Sequence, residues 1–159
     1  MTDRSIAAHA PAPVQRAPRI TRLLNPFARM MLKAGVPLAT NVLMTIPGRI
    51  SGQPRTTPLA IIEVEGRRWV WSPWGEVQWV RNLRAAGHAT VSVRRSSEQV
   101  TATELDPAER IAFFRDVLAP FARGLRFGMT FVRVVDGVDL NHPVEEADGR
   151  PVFELRRVS

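Results

Sequence analysis

Residues 47–59 read Pro-Gly-Arg-Ile-Ser-Gly-Gln-Pro-Arg-Thr-Thr-Pro-Leu, and the chain is organised around them. One apolar run ends just before this stretch and another begins at its close. Gly48 and Gly52 can adopt positive φ and let the backbone approach a ligand closely. Pro47, Pro54 and Pro58 oppose helix and restrict φ, so the spacing predicts a stiff turn between two strands. Arg49, Ser51, Arg55, Thr56 and Thr57 place two guanidinium forks and three hydroxyls within nine residues. That donor set suits phosphate or carboxylate oxygens. The run lacks the closing Lys-Ser/Thr pair of a nucleotide-hydrolase phosphate loop. A tight hairpin with surface arginines accounts for the composition equally well.

Working outward, residues 40–46 read as a strand before the turn and Leu59–Val64 as one after it. Glu65-Gly66 predicts a short hairpin into Arg67–Ser72, and Ser72-Pro73-Trp74-Gly75 breaks that strand. Glu76–Ala86 reads as a helix, with an acidic residue in its first turn and Gly87 beyond its last. Trp79 and Asn82, three apart, share one of its faces. Strands at 88–95 and 98–104 follow, joined by Ser96-Ser97. Asp106-Pro107-Ala108-Glu109 is a capping box opening a helix that turns Ile111, Phe114, Val117, Leu118 and Phe121 inward. Residues 122–148 give no clear pattern, and Pro151–Val158 reads as a last strand. Six short, mostly antiparallel strands with two or three outer helices imply a mainly β, α+β chain closed into a barrel.

The N-terminal region has a different character. Residues 1–18 are small and polar and read as a disordered arm. Over 19–35, Ile20, Leu23, Leu24, Phe27 and Met31 recur at helical spacing, with Arg22, Arg29 and Lys33 between them. Such an amphipathic helix can cover the barrel's open end or lie on a membrane. Because Pro26 splits the stripe, we favour the barrel. Residues 19–159 then form a single domain, a size that buries a core without staples.

Composition narrows the chemistry. There is no cysteine, which excludes disulfides, a thiolate nucleophile and zinc–thiolate sites. His9, His88 and His142 form no recognisable ligand set, so no metal is expected. Residues 1–97 carry fourteen Lys/Arg against four Asp/Glu, and residues 98–159 carry eight against eleven. The basic excess surrounds the 47–59 stretch, which implies an anionic partner. Nucleic acid is the weaker choice, because the chain has no tyrosine and offers few stacking platforms. No apolar run suits a signal peptide or membrane span, so a cytoplasmic location is expected, with peripheral membrane contact through residues 19–35 as the variant. A homodimer remains open beside a monomer.

Two motifs carry a resemblance. Gly48-Arg49-x-Ser51-Gly52-x-x-Arg55-x-x-Pro58-Leu59 is followed by Trp79-x-x-Asn82-Leu83-Arg84-Ala85 ahead of a Val-rich strand. In this order they resemble the deazaflavin (F(420))-dependent nitroreductase family, over about residues 40–120 and the closing strand. The resemblance implies a split β-barrel of the pyridoxamine-phosphate-oxidase-like kind. It also implies coenzyme F(420), an 8-hydroxy-5-deazaflavin with a phosphodiester and oligoglutamate tail, and hydride transfer to a small quinone, enone or nitro acceptor. On that reading Arg49, Ser51, Gly52 and Arg55 meet the anionic tail. Thr57, Pro58, Leu59, Ser72, Trp74, Trp79 and Asn82 border the ring, with Ser72 near its reactive edge as the catalytic candidate. Bland readings stand beside these: Trp79 with Leu83 fits a core, Arg84 a solvated helix face, Ser72 an ordinary turn. Arg55, set between two prolines, is the strongest functional candidate. Ile50 stands where many relatives carry Lys, the Ser72–Trp79 loop is short, and tyrosines are lacking, so the acceptor stays open and a literal nitroreductase is disfavoured. The alternative is a non-catalytic or FMN-type split-barrel protein that binds a planar anionic ligand.

Overall fold

The computed structural model describes residues 40–126 and 128–159. The arm expected at 1–18 and the amphipathic helix expected at 19–35 lie outside the described residues. Six strands form the frame: β1 (Thr40–Pro47), β2 (Pro54–Val64), β3 (Arg67–Trp71), β4 (His88–Val93), β5 (Ser96–Glu104) and β6 (Val152–Arg157). They close in the order β1-β2-β3-β6-β5-β4, with β4 returning to β1. Every pairing is antiparallel. This is the split β-barrel with flanking helices that the sequence led us to expect.

The organising stretch is less of a turn than its prolines suggest. Only Gly48–Gln53 turns, and β2 begins at Pro54 rather than Leu59. The reason lies in the pairing. Residues 54–61 pair with β1, while contact with β3 starts only at Ile62, opposite Trp69. Among the described residues the other edge of 54–61 is unpaired, so the missing N–H of Pro54 and Pro58 costs no ladder bond there. An edge short of donors also resists pairing with a foreign strand.

Two-residue turns close the far end. Glu65 and Gly66 both have positive φ, 51° and 75°, as a twisted hairpin demands. The β4–β5 joint falls at Arg94-Arg95 instead of Ser96-Ser97. Arg94 takes φ 55°, and Ser96-Ser97 enter β5, where the Ser92 and Ser97 hydroxyls meet at 2.8 Å.

Helix α1 (Gln78–Ala86) starts two residues later than expected, and Val77 caps it without a side-chain bond. Glu76 therefore lies outside the first turn and pairs with Arg84 at 2.7 Å. Gly87 ends α1 as anticipated, at φ 69° with its N–H donated to the Leu83 carbonyl. The capping box also forms: Glu109 N–H donates to Asp106 Oδ1 at 2.8 Å and Asp106 N–H to Glu109 Oε2 at 2.9 Å. It opens α2 (Pro107–Ala112), which passes through a π-helical turn at Phe113–Leu118 into α3 (Ala119–Gly124). The unreadable stretch holds α4 (Gly128–Phe131), a second π-helical segment at Val132–Asp136, and α5 (Pro143–Ala147).

Alternation along the strands divides the core in two. Val42, Met44, Ile46, Ile61 and Val70 point into the barrel, where Trp79 and Leu83 of α1 plug its end. Ile62, Trp69 and Trp71 point outward and are covered by Phe113, Phe114 and Leu118 of the helical layer. Both faces of β3 are thus buried, which explains its unbroken apolar Trp69-Val70-Trp71.

Antiparallel order sends the ends of β1, β3 and β5 and the starts of β2, β4 and β6 to one end of the barrel. Loop 48–53, the 72–77 segment with α1, and the helical layer of residues 105–151 collect there.

Candidate functional site

Loop 48–53 is a closed, preformed turn. Gly48 N–H donates to the Gln53 carbonyl at 2.9 Å, and Gly52 N–H to the Gly48 carbonyl at 2.8 Å. Gln53 N–H reaches Ser51 Oγ at 3.3 Å. Gly52 sits at φ 68°, a conformation that L side chains resist. A Cβ on Gly48 would fall 3.1 Å from the Gln53 carbonyl. The amides of Ile50 and Ser51 have no acceptor among the described residues.

Arg49 ties this loop to α1. Its Nη1 donates to Gln78 Oε1 at 2.8 Å and to Asn82 Oδ1 at 3.0 Å. Its backbone N–H also donates to Asn82 Oδ1, at 3.3 Å. Arg55 lies on β2 opposite Ile46 and is exposed. Arg67, Arg68, Arg81, Arg84, Arg115, Arg150, Arg156 and Arg157 all reach carboxylates. Among the described residues Arg49 and Arg55 reach none, as is true also of Arg94, Arg95, Arg110, Arg123 and Arg133, and the loop end of β2 thus holds two uncompensated positive charges side by side.

The register sorts the neighbours of Arg55. Thr57 and Leu59 lie opposite Met44 and Val42 and share its face, and Leu59 packs on the barrel core. Thr56 and Pro58 turn to the outer face, where Thr56 Oγ1 meets Thr45 Oγ1 at 2.8 Å.

A second group lies at the same end of the barrel. Ser72 is fully buried, its N–H donated to the Pro151 carbonyl at 3.0 Å. Among the described residues its Oγ has no partner, so a buried hydroxyl is left with unused hydrogen-bonding capacity. Pro73–Val77 follows it in the chain, with Trp74 half-buried. Two arginines hold this segment. Arg150 Nε donates to the Pro73 carbonyl at 3.0 Å while its Nη1 meets the Glu146 carboxylate at 2.8 Å. Arg84 bridges Glu76, at 2.7 Å, and Glu104, at 2.5 and 2.7 Å. The Glu104 hydrogen bonds, foremost, raise the Arg84 pKa further above its ordinary value. Arg84 is exposed, as a solvated helix face requires, and its ion pairs also link the 72–77 segment to β5.

Of the expected site residues, Thr57 and Leu59 share the face of Arg55, Pro58 lies on the outer face, and the others fall into three places. Arg49, Ser51, Gly52 and Arg55 cluster at the loop with Asn82, which is 7 % exposed. Ser72 and Trp74 lie in the neighbouring segment. Trp79 is buried in the barrel core, its ring 6.2 Å from Phe153. Two residues escaped the sequence reading. Gln78 was detectable as the i−4 neighbour of Asn82 on one helix face. Arg150 gave no local signal, being 77 residues from the carbonyl it holds. Among the described residues no three His, Asp or Glu side chains converge as a metal site, and no helix is long and apolar enough to cross a membrane.

The sequence profile of the F(420)H(2)-dependent quinone reductases matches residues 27–124. No curated protein matches. An F(420)-H2-dependent reductase, FDR-A, superposes with a TM-score of 0.45 at 21 % identity, over 74 % of this chain and 94 % of that one. Campylobacter jejuni ChuZ gives 0.50 at 10 % identity, over 86 % and 53 %. A Listeria innocua protein assigned as a pyridoxamine 5'-phosphate oxidase gives 0.48 at 11 % identity, over 86 % and 94 %. At such identities structural likeness speaks to fold alone, and the ChuZ superposition bears on the barrel.

Proposed function

The chain belongs to the F(420)H(2)-dependent quinone reductase family, and from that membership we propose that it passes reducing equivalents from the reduced deazaflavin coenzyme F(420) to a small quinone-type acceptor. The observation that carries this reading is the loop end of β2. There Arg55, the open edge of Arg49 and the Ile50 and Ser51 amides present donors that no carboxylate or carbonyl of the described residues uses. Uncompensated donors beside a preformed turn fit the phosphodiester and glutamates of the coenzyme's tail.

When bound, the reduced deazaflavin supplies the hydride. The chain's own residues bind, orient and exclude water. Arg55 and Arg49 anchor the tail, and Ile50, 89 % exposed at the loop tip, adds no charge where a lysine would. Thr57 and Leu59, on the face of Arg55, offer a hydroxyl and an apolar surface to the ring. The unpartnered Ser72 hydroxyl fits a polar atom on the ring's edge. Because Ser72 is fully buried, a ring that reaches it must displace the side chains or backbone that cover it. Trp79 supports the site from the core.

Parallel fluorescence titrations with F(420) and FMN test the proposal, followed by oxidation of reduced F(420) with and without a soluble quinone. Preferred binding of the deazaflavin and quinone-dependent oxidation are expected. Preference for FMN, or binding of neither, overturns it.

A further inference from the structure

We propose that Asn82, assisted by Gln78, positions the anion loop and aims Arg49, and that it does not itself touch the ligand. This rests on the anion-binding reading of loop 48–53 given above. Asn82 is 7 % exposed, and its Oδ1 accepts from both the backbone N–H and Nη1 of Arg49. Gln78 Oε1 accepts from the same Nη1 at 2.8 Å. Guanidinium only donates, so oxygen atoms must face it, and the two amides are oriented by that requirement.

Two consequences follow from the chemistry. Both hydrogens of Nη1 are used, which leaves the Nε and Nη2 edge of the fork open among the described residues. That edge presents two parallel N–H groups and matches a carboxylate or phosphate in bidentate fashion. The partners of Arg49 are also neutral. A carboxylate at either position would hold the loop equally well but cancel the charge the ligand needs. The amides instead fix the direction of the guanidinium and preserve its full charge. Helix α1 thereby pre-organises an anion site that a free surface arginine would have to order on binding.

The test uses the full-length protein and three variants: Asn82→Ala, Gln78→Ala and Asn82→Asp. Hydrogen exchange is first followed across residues 48–53 without ligand. Both alanine variants should exchange there about tenfold faster, the scale of a lost net hydrogen bond, while Asn82→Asp stays close to the parent. Affinities are then measured for F(420) and for the same deazaflavin lacking the phosphodiester and glutamates. The alanine variants should lose about tenfold in affinity for the tailed form and little for the tail-less one. Asn82→Asp should keep the loop ordered yet bind the tailed form more weakly, with a flatter salt dependence. Gln78 is exposed, so its variant reports even if Asn82→Ala fails to fold. Unchanged exchange in the alanine variants overturns the inference, as does equal loss of tailed and tail-less affinity. A parent protein that binds no deazaflavin overturns the proposed function instead, and the exchange arm still decides the role of Asn82.

Discussion

Arg55 is the side chain on which the anion reading leans most, because no carboxylate among the described residues shares its charge and its strand is held by β1. Arg55→Ala should weaken F(420) binding by about 1.5–3 kcal/mol at low salt, the scale of a charge-assisted contact. Unchanged affinity in an isothermal titration would remove Arg55 from the site. Gly52 poses a different question, since its importance lies in the backbone. It sits at φ 68°, and an added Cβ would meet nothing within 4 Å among the described residues. Gly52→Val should therefore act through the cost of left-handed backbone, about 1–2 kcal/mol, and disturb the loop more than the fold. Gly52→Asn tolerates that conformation and should retain most of the affinity. Equal losses in both variants would mean that the ligand comes close enough for any side chain to obstruct it. The donor types of this loop were legible in the sequence from spacing alone. The bonding of Arg49 was not, because its partners lie 29 and 33 residues away.

Among the elements, several with local signals were read correctly, though the Ser96-Ser97 joint and the Glu76 helix start were not. The Asp106–Glu109 capping box, the Gly87 stop and the Glu65-Gly66 hairpin each depend on residues within one turn of one another. The start of β2 was misplaced, since proline disfavours strand only where its N–H is needed, and which edge is free depends on the partner strand. Residues 122–148 resisted reading for a related reason. Their segments are short, one is π-helical, and much of their order comes from packing into the core cluster that holds Trp69 and Trp71. Gly128 illustrates the constraint: a Cβ there would lie 2.3 Å from the Ala122 carbonyl and 2.8 Å from Leu125 Cβ. Gly128→Ala should force α4 away from α3 and destabilise the protein by roughly 1–3 kcal/mol, seen as a lower urea midpoint. A midpoint equal to the parent's would show that the α3–α4 contact adjusts freely.

For the molecule as a whole, pH dependence offers a test of the helical layer. Burial raises the Asp136 carboxyl to about 7, far above its ordinary value. An unfolded aspartate ionises near 3.9, so between about pH 4 and 7 the unfolded state loses its proton while the folded state keeps it. Stability should fall with rising pH across that window, by at most about 4 kcal/mol from this group, and level off above it. Asp136→Asn should abolish that part of the decline in melting temperature. Parallel curves for parent and variant would show that Asp136 is solvated in the folded protein. The sequence by itself determined the strand count, the barrel class, the loop chemistry and the family resemblance, because each depends on alternation, turn residues or donors close together along the chain. Only the tertiary structure decided that the barrel has two cores, that Trp79 is a plug, and that Ser72 is buried with its hydroxyl unpaired among the described residues. It alone joined Arg49 to Asn82 and Arg150 to Pro73. Those contacts arise when barrel closure brings distant segments to one end, and no spacing along the chain encodes which of them will meet.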